Sequence, residues 1–493
     1  MKKFAKLMGF DPVAKKTSVK TELIAGLVTF LSMAYILTVN PSAIFEDGVL
    51  SPYWSSAFIA TALGAVIGTL LMAFVAKMPL AQASGMGLNS LVGSLIAGSA
   101  GYAAKFTPGQ AFFLVLISGV VFFVLSVIKI GGKSFRELVF DGMPVAVRSA
   151  ISVGIGLFIA YIGFQNAGVI VANPFTQVEL VDLTSWDKSK TAVLALIGLF
   201  LIAILDKLNV KGSVIIGILG ATIIGIPFGI TDLSILAGKS AGISWKFWEN
   251  IGNFFAGENT VFLSFTSVFK GEGLIPEGIS VFSVVMIVMT MCMIDMFDTM
   301  GTIVGCCGGN RILSDENDKP RNYSKIMFSD ALATGAGAMI GTSTVTTFVE
   351  SGTGVSAGGR TGLTAFSTAT LFSAAIFAMP LFAVIPSCAT AAALIYVGVL
   401  MMKNNIKSID FGNAIKATSA FLTIVVMILA YSITKGIGIG ILSYTLMSIV
   451  AYLIELIKSA IKKEAKPKWD LSVVAIIVSI LFCIYFFVPA TLF

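Results

Sequence analysis

Long apolar runs, each about 20 residues long and separated by polar loops, form the pattern of this chain. A run of that length is what an α-helix needs to cross the hydrocarbon core of a bilayer. Each half of the chain contains seven such runs, so the pattern predicts fourteen transmembrane segments. In the first half these are 22–40, which ends at Pro41, 55–76, 79–98, 110–130, 144–162, 192–207 and 213–230. In the second half they are 279–304, 326–341, 342–363, 364–384, 386–402, 417–433 and 436–457.

The third and tenth segments depart from the pattern of an ordinary helix. In the tenth, the β-branched and aromatic residues over 344–349 favour a short strand. The box Ser351-Gly352-x-Gly354 then favours a helix start, with Ser351 as a cap for exposed N–H groups. The third segment shows the same order over 79–89. Paired breaks in two halves of a transporter point to its binding site, and irregular backbone at membrane depth must line a cavity or be buried in protein. We therefore expect a functional centre here.

The order of the segments predicts an inverted repeat, because an odd number of spans per half makes the two halves enter the membrane from opposite sides. The fold class is an all-α polytopic membrane protein with 14 segments in a 7+7 arrangement. The apolar stretch 471–489 is long enough to add a further crossing. The predicted parts are a leader (1–20), a first repeat (21–230), an inter-repeat loop (231–278), a second repeat (279–457) and a basic linker with an apolar helix (458–493).

Composition supports the membrane class. Hydrophobic residues make up 56% of the chain and charged residues 12%, and the mean hydropathy is +0.94, far from the values of soluble proteins. The net charge of +7 does not indicate nucleic-acid binding, because the basic residues lie in loops on one side of the membrane. By the positive-inside rule, that side is the cytoplasm and also holds the N-terminus.

The absence of His and the spacing of the Cys residues limit the reactions that the protein could support. The chain has no His, so proton coupling would have to use carboxylates. Its five Cys lack metal-ligand spacing. No nucleophile and base stand together in the sequence. We therefore expect no metal, no cofactor and no enzymatic activity.

Ionisable and amide side chains inside the membrane are the candidates for function, because they are costly there. Segment eight carries Asp295 and Asp298, whose spacing of three places both on roughly one helix face. Glu350 precedes the predicted half-helix, and Asn89 lies one turn into the other one. The predicted substrate-binding residues are Glu350, Asp295, Asn89, Thr353 and Ser84, and the predicted proton-coupling residues are Glu350, Asp295 and Asp298. Structural roles remain open: a helix cap for Glu350, and helix–helix hydrogen bonds for the aspartates and Asn89.

These side chains constrain the substrate. Two half-helix N-termini would attract an anion, but the carboxylates of Glu350 and Asp295 oppose one. A neutral solute with N–H donors, or a cation, fits better. Loss of water favours the neutral form of a carboxylate, so one of the two could also bind and release a proton.

Four separated motifs resemble the AzgA-type hypoxanthine/guanine/adenine permeases, which belong to the nucleobase:cation symporter group together with uracil and xanthine permeases. The motifs are Thr29-Phe30-Leu31-Ser32-Met33-Ala34-Tyr35-Ile36 with Val39-Asn40-Pro41, then Gly85-Met86-Gly87-Leu88-Asn89, Asp295-Met296-Phe297-Asp298-Thr299-Met300-Gly301-Thr302 and Phe348-Val349-Glu350-Ser351-Gly352-Thr353-Gly354. The resemblance implies a core domain (21–130 plus 279–384) that carries the substrate and a gate domain (144–230 plus 386–457) that can form a homodimer. It also implies that Asn89, Asp295 and Glu350 contact the substrate.

The resulting hypothesis is a multi-pass permease of the plasma membrane that imports purine nucleobases by proton symport, with an elevator-like movement of the core domain. Na⁺ coupling is a second possibility. The alternatives are a uracil or xanthine permease, a sulfate- or bicarbonate-type anion transporter of the same fold, and a channel. The sequence does not rank the purines.

Overall fold

The structure is a computed structural model of the 493-residue chain. It describes residues 6–45, 51–98, 105–130, 133–134, 138, 142–173, 175–237, 243–255, 260–267, 269, 271, 273–307, 312–314, 320–462, 469 and 471–487. The start of the predicted leader, parts of the inter-repeat loop and most of the basic C-terminal linker lie outside these residues.

Helices dominate both halves of the chain. The first half contains α1 (Val19–Met33), α2 (Ile36–Ile44), α3 (Trp54–Leu71), α4 (Met86–Ala97), α5 (Pro108–Val127), α6 (Val145–Asn166), α7 (Trp186–Lys207) and α8 (Ser213–Gly225). The inter-repeat region contains α9 (Phe247–Phe255) and α10 (Leu263–Ser267). The second half contains α11 (Val281–Cys307), α12 (Tyr323–Ile340), α13 (Ser351–Ser356), α14 (Gly362–Ala375), α15 (Met379–Ala383), α16 (Ser387–Asn405), α17 (Ala414–Leu429), α18 (Ile433–Lys462) and α19 (Val473–Phe487).

The described residues include nine helical stretches that are long and apolar enough to cross a membrane, and four shorter apolar helices, α4, α8, α17 and α19. The prediction of an all-α polytopic membrane protein is thus confirmed. The predicted end of the first segment at Pro41 is wrong. The break lies instead at Ala34 and Tyr35, between α1 and α2, and Pro41 lies inside α2. Proline has a helical φ and removes one backbone hydrogen bond, so a helix that is packed on its neighbours can continue through it.

Short antiparallel strand pairs complete the fold. They are β1 (Gln82–Ser84) with β6 (Val345–Thr347), β2 (Lys129–Ile130) with β3 (Lys133–Ser134), and β4 (Ile170–Asn173) with β5 (Gln177–Leu180). The pair β1–β6 joins the two broken segments and places Ala83 opposite Thr346. Because the strands are antiparallel, the half-helices α4 and α13 begin at opposite ends of the ribbon. The strand predicted over 344–349 therefore exists, but it is shorter.

The helices pack in two groups. In the first, here called the core group (α1–α5 and α11–α15), α12 packs on α3 and α5, and α14 packs on α1 and α3. In the second, the gate group (α6–α8 and α16–α18), α6 packs on α16 and α17, while α7 packs on α8 and α16. Lighter contacts of α2 with α16, and of α6 with α4 and α11, join the groups. This packing places the ribbon inside the core group.

The loop between the repeats is attached to the core group. The hydroxyls of Ser56 and Thr260 lie 2.9 Å apart, and the N–H of Phe262 donates to the carbonyl of Met339 over 2.9 Å. The described part of the leader is attached in the same way, since Gly362 N–H donates to the carbonyl of the buried Met8. Both segments therefore belong structurally to the core group.

The C-terminal helix α19 packs on α18 and α11. Its Phe482 is fully buried, and Ser479 Oγ donates to Thr445 Oγ1 over 2.7 Å. The helix has 15 residues, which extend over about 22 Å, less than the roughly 30 Å of a bilayer core. The predicted apolar helix therefore exists as a segment bound to the bundle, and it is shorter than an ordinary crossing.

Candidate functional site

The two broken segments are joined by backbone hydrogen bonds beyond the strands themselves. Gly85 N–H donates to the carbonyl of Thr344 over 2.9 Å, and Phe348 N–H donates to the carbonyl of Ala81 over 3.1 Å. These bonds satisfy backbone groups that would otherwise be buried without partners. The ribbon thereby fixes the position at which each half-helix begins.

Ser351 takes part in this junction and does not cap its own helix. Its hydroxyl accepts from Ala81 N–H over 3.0 Å and donates to the Ala81 carbonyl over 3.4 Å. No side chain caps α13, whose N-cap position is Glu350. The predicted capping role of Ser351 is therefore wrong. The reason is competition, because the backbone N–H of Ala81, just before β1, takes Ser351 Oγ as its hydrogen-bond acceptor.

Glu350 lies between β6 and α13 and is almost fully buried, with 9% of its surface exposed. Tyr35, in the break between α1 and α2, donates its hydroxyl to Glu350 Oε1 over 2.6 Å. Thr353 supports the same residue from the other side, since its hydroxyl donates to the Glu350 carbonyl over 2.7 Å. Tyr35 of the first repeat thus orients the carboxylate, and Thr353 of the second repeat holds the backbone of the same residue.

A cavity of about 350 Å³ lies in front of Glu350, between the core and gate groups. The core group contributes Tyr35, Met86, Asp298, Thr302, Cys306 and the backbone around Glu350, and the gate group contributes Ser152, Val397, Met401 and Asn405. Among the described residues that line it there is no Lys or Arg. The walls therefore combine two carboxylates, hydroxyls and an amide with apolar faces, which suits a flat polar solute better than an anion.

The two aspartates of α11 do not share this cavity. Asp298 is partly buried and lines it. Asp295 is fully buried inside the core group, where Thr334 Oγ1 donates to its Oδ2 over 3.0 Å. Three residues of helix turn the chain by about 300°, so the side chains point roughly 60° apart. That angle is enough to direct one towards the cavity and the other towards α12.

Asn89 and Ser84 lie in the ribbon junction and not in the cavity wall. Ser343 Oγ donates to Asn89 Oδ1, and Asn89 Nδ2 donates to the Ser84 carbonyl over 3.4 Å. The hydroxyls of Ser84 and Thr342 lie 2.5 Å apart. In this conformation these residues connect the non-helical stretch before α4 to the non-helical stretch before α13.

Sequence reasoning missed Asp330, a carboxylate of α12 that is fully buried. It accepts hydrogen bonds from Gln82 Nε2 over 3.0 Å and from Thr299 Oγ1 over 2.9 Å. The hydroxyl of Thr299 lies 2.5 Å from that of Thr346. Asp330 thus connects β1, α11 and β6. Its signal was present in the sequence, because it is the lone charge of the segment 326–341.

Two other residues were missed. Tyr35 was part of a quoted motif but received no role. Glu22, in the first turn of α1, is fully buried and accepts from Arg360 N–H over 3.1 Å and from the hydroxyl of Thr364 over 2.5 Å. It is the first residue of the predicted segment 22–40, where a charged side chain is expected to lie at the membrane surface. Glu22 holds the start of α14 and lies away from the cavity.

No group of three or more His, Cys, Asp or Glu side chains suited to a metal ion exists among the described residues. The chemistry that this cavity can offer is hydrogen bonding to a solute from Glu350 and Asp298, with proton exchange at either carboxylate.

Comparison with known proteins identifies the family. Residues 20–439 match the model of the Xan_ur_permease family, described as a permease family. The chain is 34% identical to adenine permease AdeQ of Escherichia coli strain K12 over 433 residues, which cover 88% of each chain. It is 33% identical to guanine/hypoxanthine permease PbuO of Bacillus subtilis strain 168 over 490 residues, which cover 96% of this chain and 98% of that one.

Solved structures show the same fold at low sequence identity. The transmembrane domain of a cyanobacterium bicarbonate transporter, BicA, aligns with a TM-score of 0.57 and 16% identity, covering 85% of this chain and 96% of that one. This likeness supports the inverted-repeat transporter fold alone. Together with the family match and the apolar helices, it shows that the chain is a multi-pass membrane protein belonging to the Xan_ur_permease family of permeases.

Proposed function

We propose that this permease imports purine nucleobases across the plasma membrane, with hypoxanthine, guanine and adenine as the candidate substrates. The observation that carries the proposal is the cavity in front of Glu350, whose lining has two carboxylates and no Lys or Arg among the described residues. A purine presents N–H donors and two apolar ring faces. The names of the relatives AdeQ and PbuO point to the same substrate class.

Glu350 is the proposed principal substrate contact. Its carboxylate accepts N–H bonds from the base, and the hydrogen bond from Tyr35 orients it. A carboxylate that is pre-oriented loses less entropy when it binds a ligand. Thr353 holds the Glu350 carbonyl, and the apolar surfaces of Val397 and Met401 offer a wall for the ring face.

Asp295, Asn89 and Ser84 contribute through the ribbon junction in this proposal. Each is fully buried and bonded within the core group. They hold the non-helical stretches before α4 and α13 in register and thereby keep the Glu350 side chain facing the cavity. Contact of Asp295 and Asn89 with the substrate itself would require another conformation of the core group.

Coupling to protons is proposed to use Glu350 and Asp298. Both line one cavity, Glu350 is almost fully buried, and two neighbouring carboxylates favour retention of a proton on one of them. Binding of the base to Glu350 then biases which carboxylate holds the proton. Na⁺ is the alternative coupling ion, and the transport assay below distinguishes the two.

Alternating access is proposed to arise from movement of the core group against the gate group. The substrate contacts of Glu350 and Asp298 lie on one group, and the opposite wall lies on the other. Relative sliding would therefore carry the site from one membrane face to the other. The N-terminus and Lys403 are assigned to the cytoplasmic face by the distribution of basic loops.

Transport assays in cells without their own purine permeases test the function. Radiolabelled hypoxanthine uptake should be saturable, competed by unlabelled guanine or adenine and not by sulfate, bicarbonate or uracil. A protonophore should stop accumulation, whereas replacement of external Na⁺ by choline should not. Competition by uracil or by anions, or dependence on Na⁺, would contradict the corresponding part of the proposal.

Substitution of Glu350 gives the first residue-level prediction. Glu350→Gln keeps the size of the side chain but removes the acceptor charge, so we expect purine uptake to fall to background while the protein still inserts in the membrane. Glu277→Gln, at an exposed position of the inter-repeat loop, is the matched control and should transport like the wild type. Normal uptake by Glu350→Gln would exclude Glu350 as the principal contact.

A further inference from the structure

Two helices line the cavity with matching stripes of side chains. On α11 the stripe is Asp298, Thr302 and Cys306, and on α16 it is Val397, Met401 and Asn405. In both helices the spacing is four residues, which keeps side chains on one face. The cavity is therefore a groove between two facing helices. It reaches Cys306 and Asn405 near the C-terminal ends of α11 and α16, where the Cys306 thiol donates to the carbonyl of Val349, next to Glu350, over 3.4 Å.

Thr302 differs from Thr29 and Thr368 of the core group in its hydrogen bonding. Thr29 and Thr368 donate their hydroxyls to the carbonyls four residues earlier, over 3.0 and 3.1 Å. Thr302 is 8% exposed and lines the groove. In the part of the chain that the structure describes, its hydroxyl makes no hydrogen bond. A hydroxyl that lines the groove without a partner in the protein can donate to or accept from a bound solute.

The opposite wall also carries a polar side chain, that of Asn405. Asn405 Nδ2 donates to the carbonyl of Met401 over 2.9 Å. This bond to its own helix leaves the amide oxygen Oδ1 as an acceptor for a ligand. A hydroxyl on one wall and an amide oxygen on the other can together contact a ring nitrogen and an N–H group.

We propose that Thr302 is a further substrate-contacting residue, which forms with Asn405 a second polar station in the groove, one helical turn beyond Asp298. Its ligand is a heteroaromatic base, whose ring nitrogen accepts from the Thr302 hydroxyl while an N–H group donates to Asn405. This inference rests on the proposed purine transport.

The test is purine uptake kinetics of Thr302→Val and Thr302→Ser in cells without their own purine permeases. Valine keeps the shape and removes the hydroxyl, so KM for hypoxanthine should rise by about two- to tenfold, the range expected for one hydrogen bond. Serine keeps the hydroxyl and should restore KM to near the wild-type value. The amount of each variant in the membrane is measured in parallel, because a purely structural defect would lower Vmax and not change KM.

Thr290→Val is the matched control. Thr290 lies three turns earlier in α11, is fully buried, and its hydroxyl also has no hydrogen bond among the described residues, but it does not line the groove. Its KM should stay at the wild-type value. Equal KM values for Thr302→Val, Thr290→Val and the wild type would overturn this inference and leave the proposed function intact. Failure of the wild type itself to take up any purine would overturn the proposed function and the inference with it.

Discussion

At the scale of single residues, the site depends on polar side chains that are paired inside the protein. Glu350 is held by Tyr35, and Asp330 is held by Gln82 and Thr299. Burial of a carboxylate is costly unless donors surround it. Only Glu350, of these two acids, faces the cavity. Glu350 can therefore contact a solute in the cavity, whereas Asp330 joins elements inside the core group.

Asp330 carries the prediction at this scale. Asp330→Asn keeps the shape but replaces the charged acceptor, and its amide would present N–H groups towards the donors of Gln82 and Thr299. We expect the variant to be less stable by about 2 kcal/mol, the value of hydrogen bonds to a charged group, and to lose most uptake because β6 no longer positions Glu350. A thermal melt of the detergent-solubilised protein measures the first effect and purine uptake the second.

Asp187→Asn is the control for this experiment. Asp187 is exposed in the first turn of α7, so the same chemical change there should alter neither the melting temperature nor uptake by more than experimental error. A melting temperature of Asp330→Asn equal to that of the wild type would show that Asp330 does not stabilise the junction.

At the scale of elements, the half-helix α13 depends on close approach to α1. It has six residues, too few to be stable alone. Gly354 faces α1, and a Cβ at this position would collide with Thr29 Oγ1 and lie 2.9 Å from the carbonyl of Ala25. The glycine thus lets the backbones of the two helices touch, and packing supplies the stability that the length of α13 cannot.

Substitution of this glycine is the prediction for the element. Gly354→Ala should displace α13 from α1, move Glu350 away from Tyr35 and lower purine uptake at least about tenfold, the factor for 1.4 kcal/mol, while membrane insertion continues. A second change, Thr29→Ala, removes the hydroxyl that the new methyl group meets and should restore part of the uptake.

Gly335→Ala serves as the control, because a Cβ at Gly335 meets no atom within 4 Å. Alanine there should leave uptake unchanged, since it also improves the helix propensity of α12. Full activity of Gly354→Ala would mean that the α1–α13 contact has no bearing on the position of Glu350.

At the scale of the whole molecule, the cavity lies where two helix groups meet. Gly87 of α4 approaches Ile155 of α6 across this boundary, and a Cβ at Gly87 would lie 2.8 Å from Ile155 Cγ2. The boundary carries few other close contacts of α4 and α6. Sliding of one group past the other would separate this pair of residues.

A reversible cross-link tests that movement. The double variant Gly87→Cys/Ile155→Cys removes the large side chain that a residue at 87 would meet, so we expect a disulfide to form on oxidation. Uptake should then stop and return after addition of dithiothreitol. Each single variant, given the same oxidant, should keep its activity. Continued uptake by fully cross-linked protein, as judged by mass spectrometry, would rule out relative movement at this boundary.

The sequence by itself determined the membrane class, the paired broken segments and the family motifs. Apolar runs and helix breaks are local properties, and they follow from the free energy of placing each residue in lipid. The alternation of strand and half-helix could be predicted in the same way, because β-branched residues and glycines act on their own backbone. Even Asp330 was visible as a lone charge in an apolar run.

The tertiary structure decided which polar side chains meet in space. Asp295 and Asp298 share a motif, but the rotation of α11 and the neighbours on each side turn one towards Thr334 and the other towards the cavity. Ser351 had the chemistry of a helix cap, yet its hydroxyl accepts a hydrogen bond from the backbone N–H of Ala81, 270 residues away in the chain. Such partners depend on packing between distant segments, so they cannot be predicted from the local sequence around each residue.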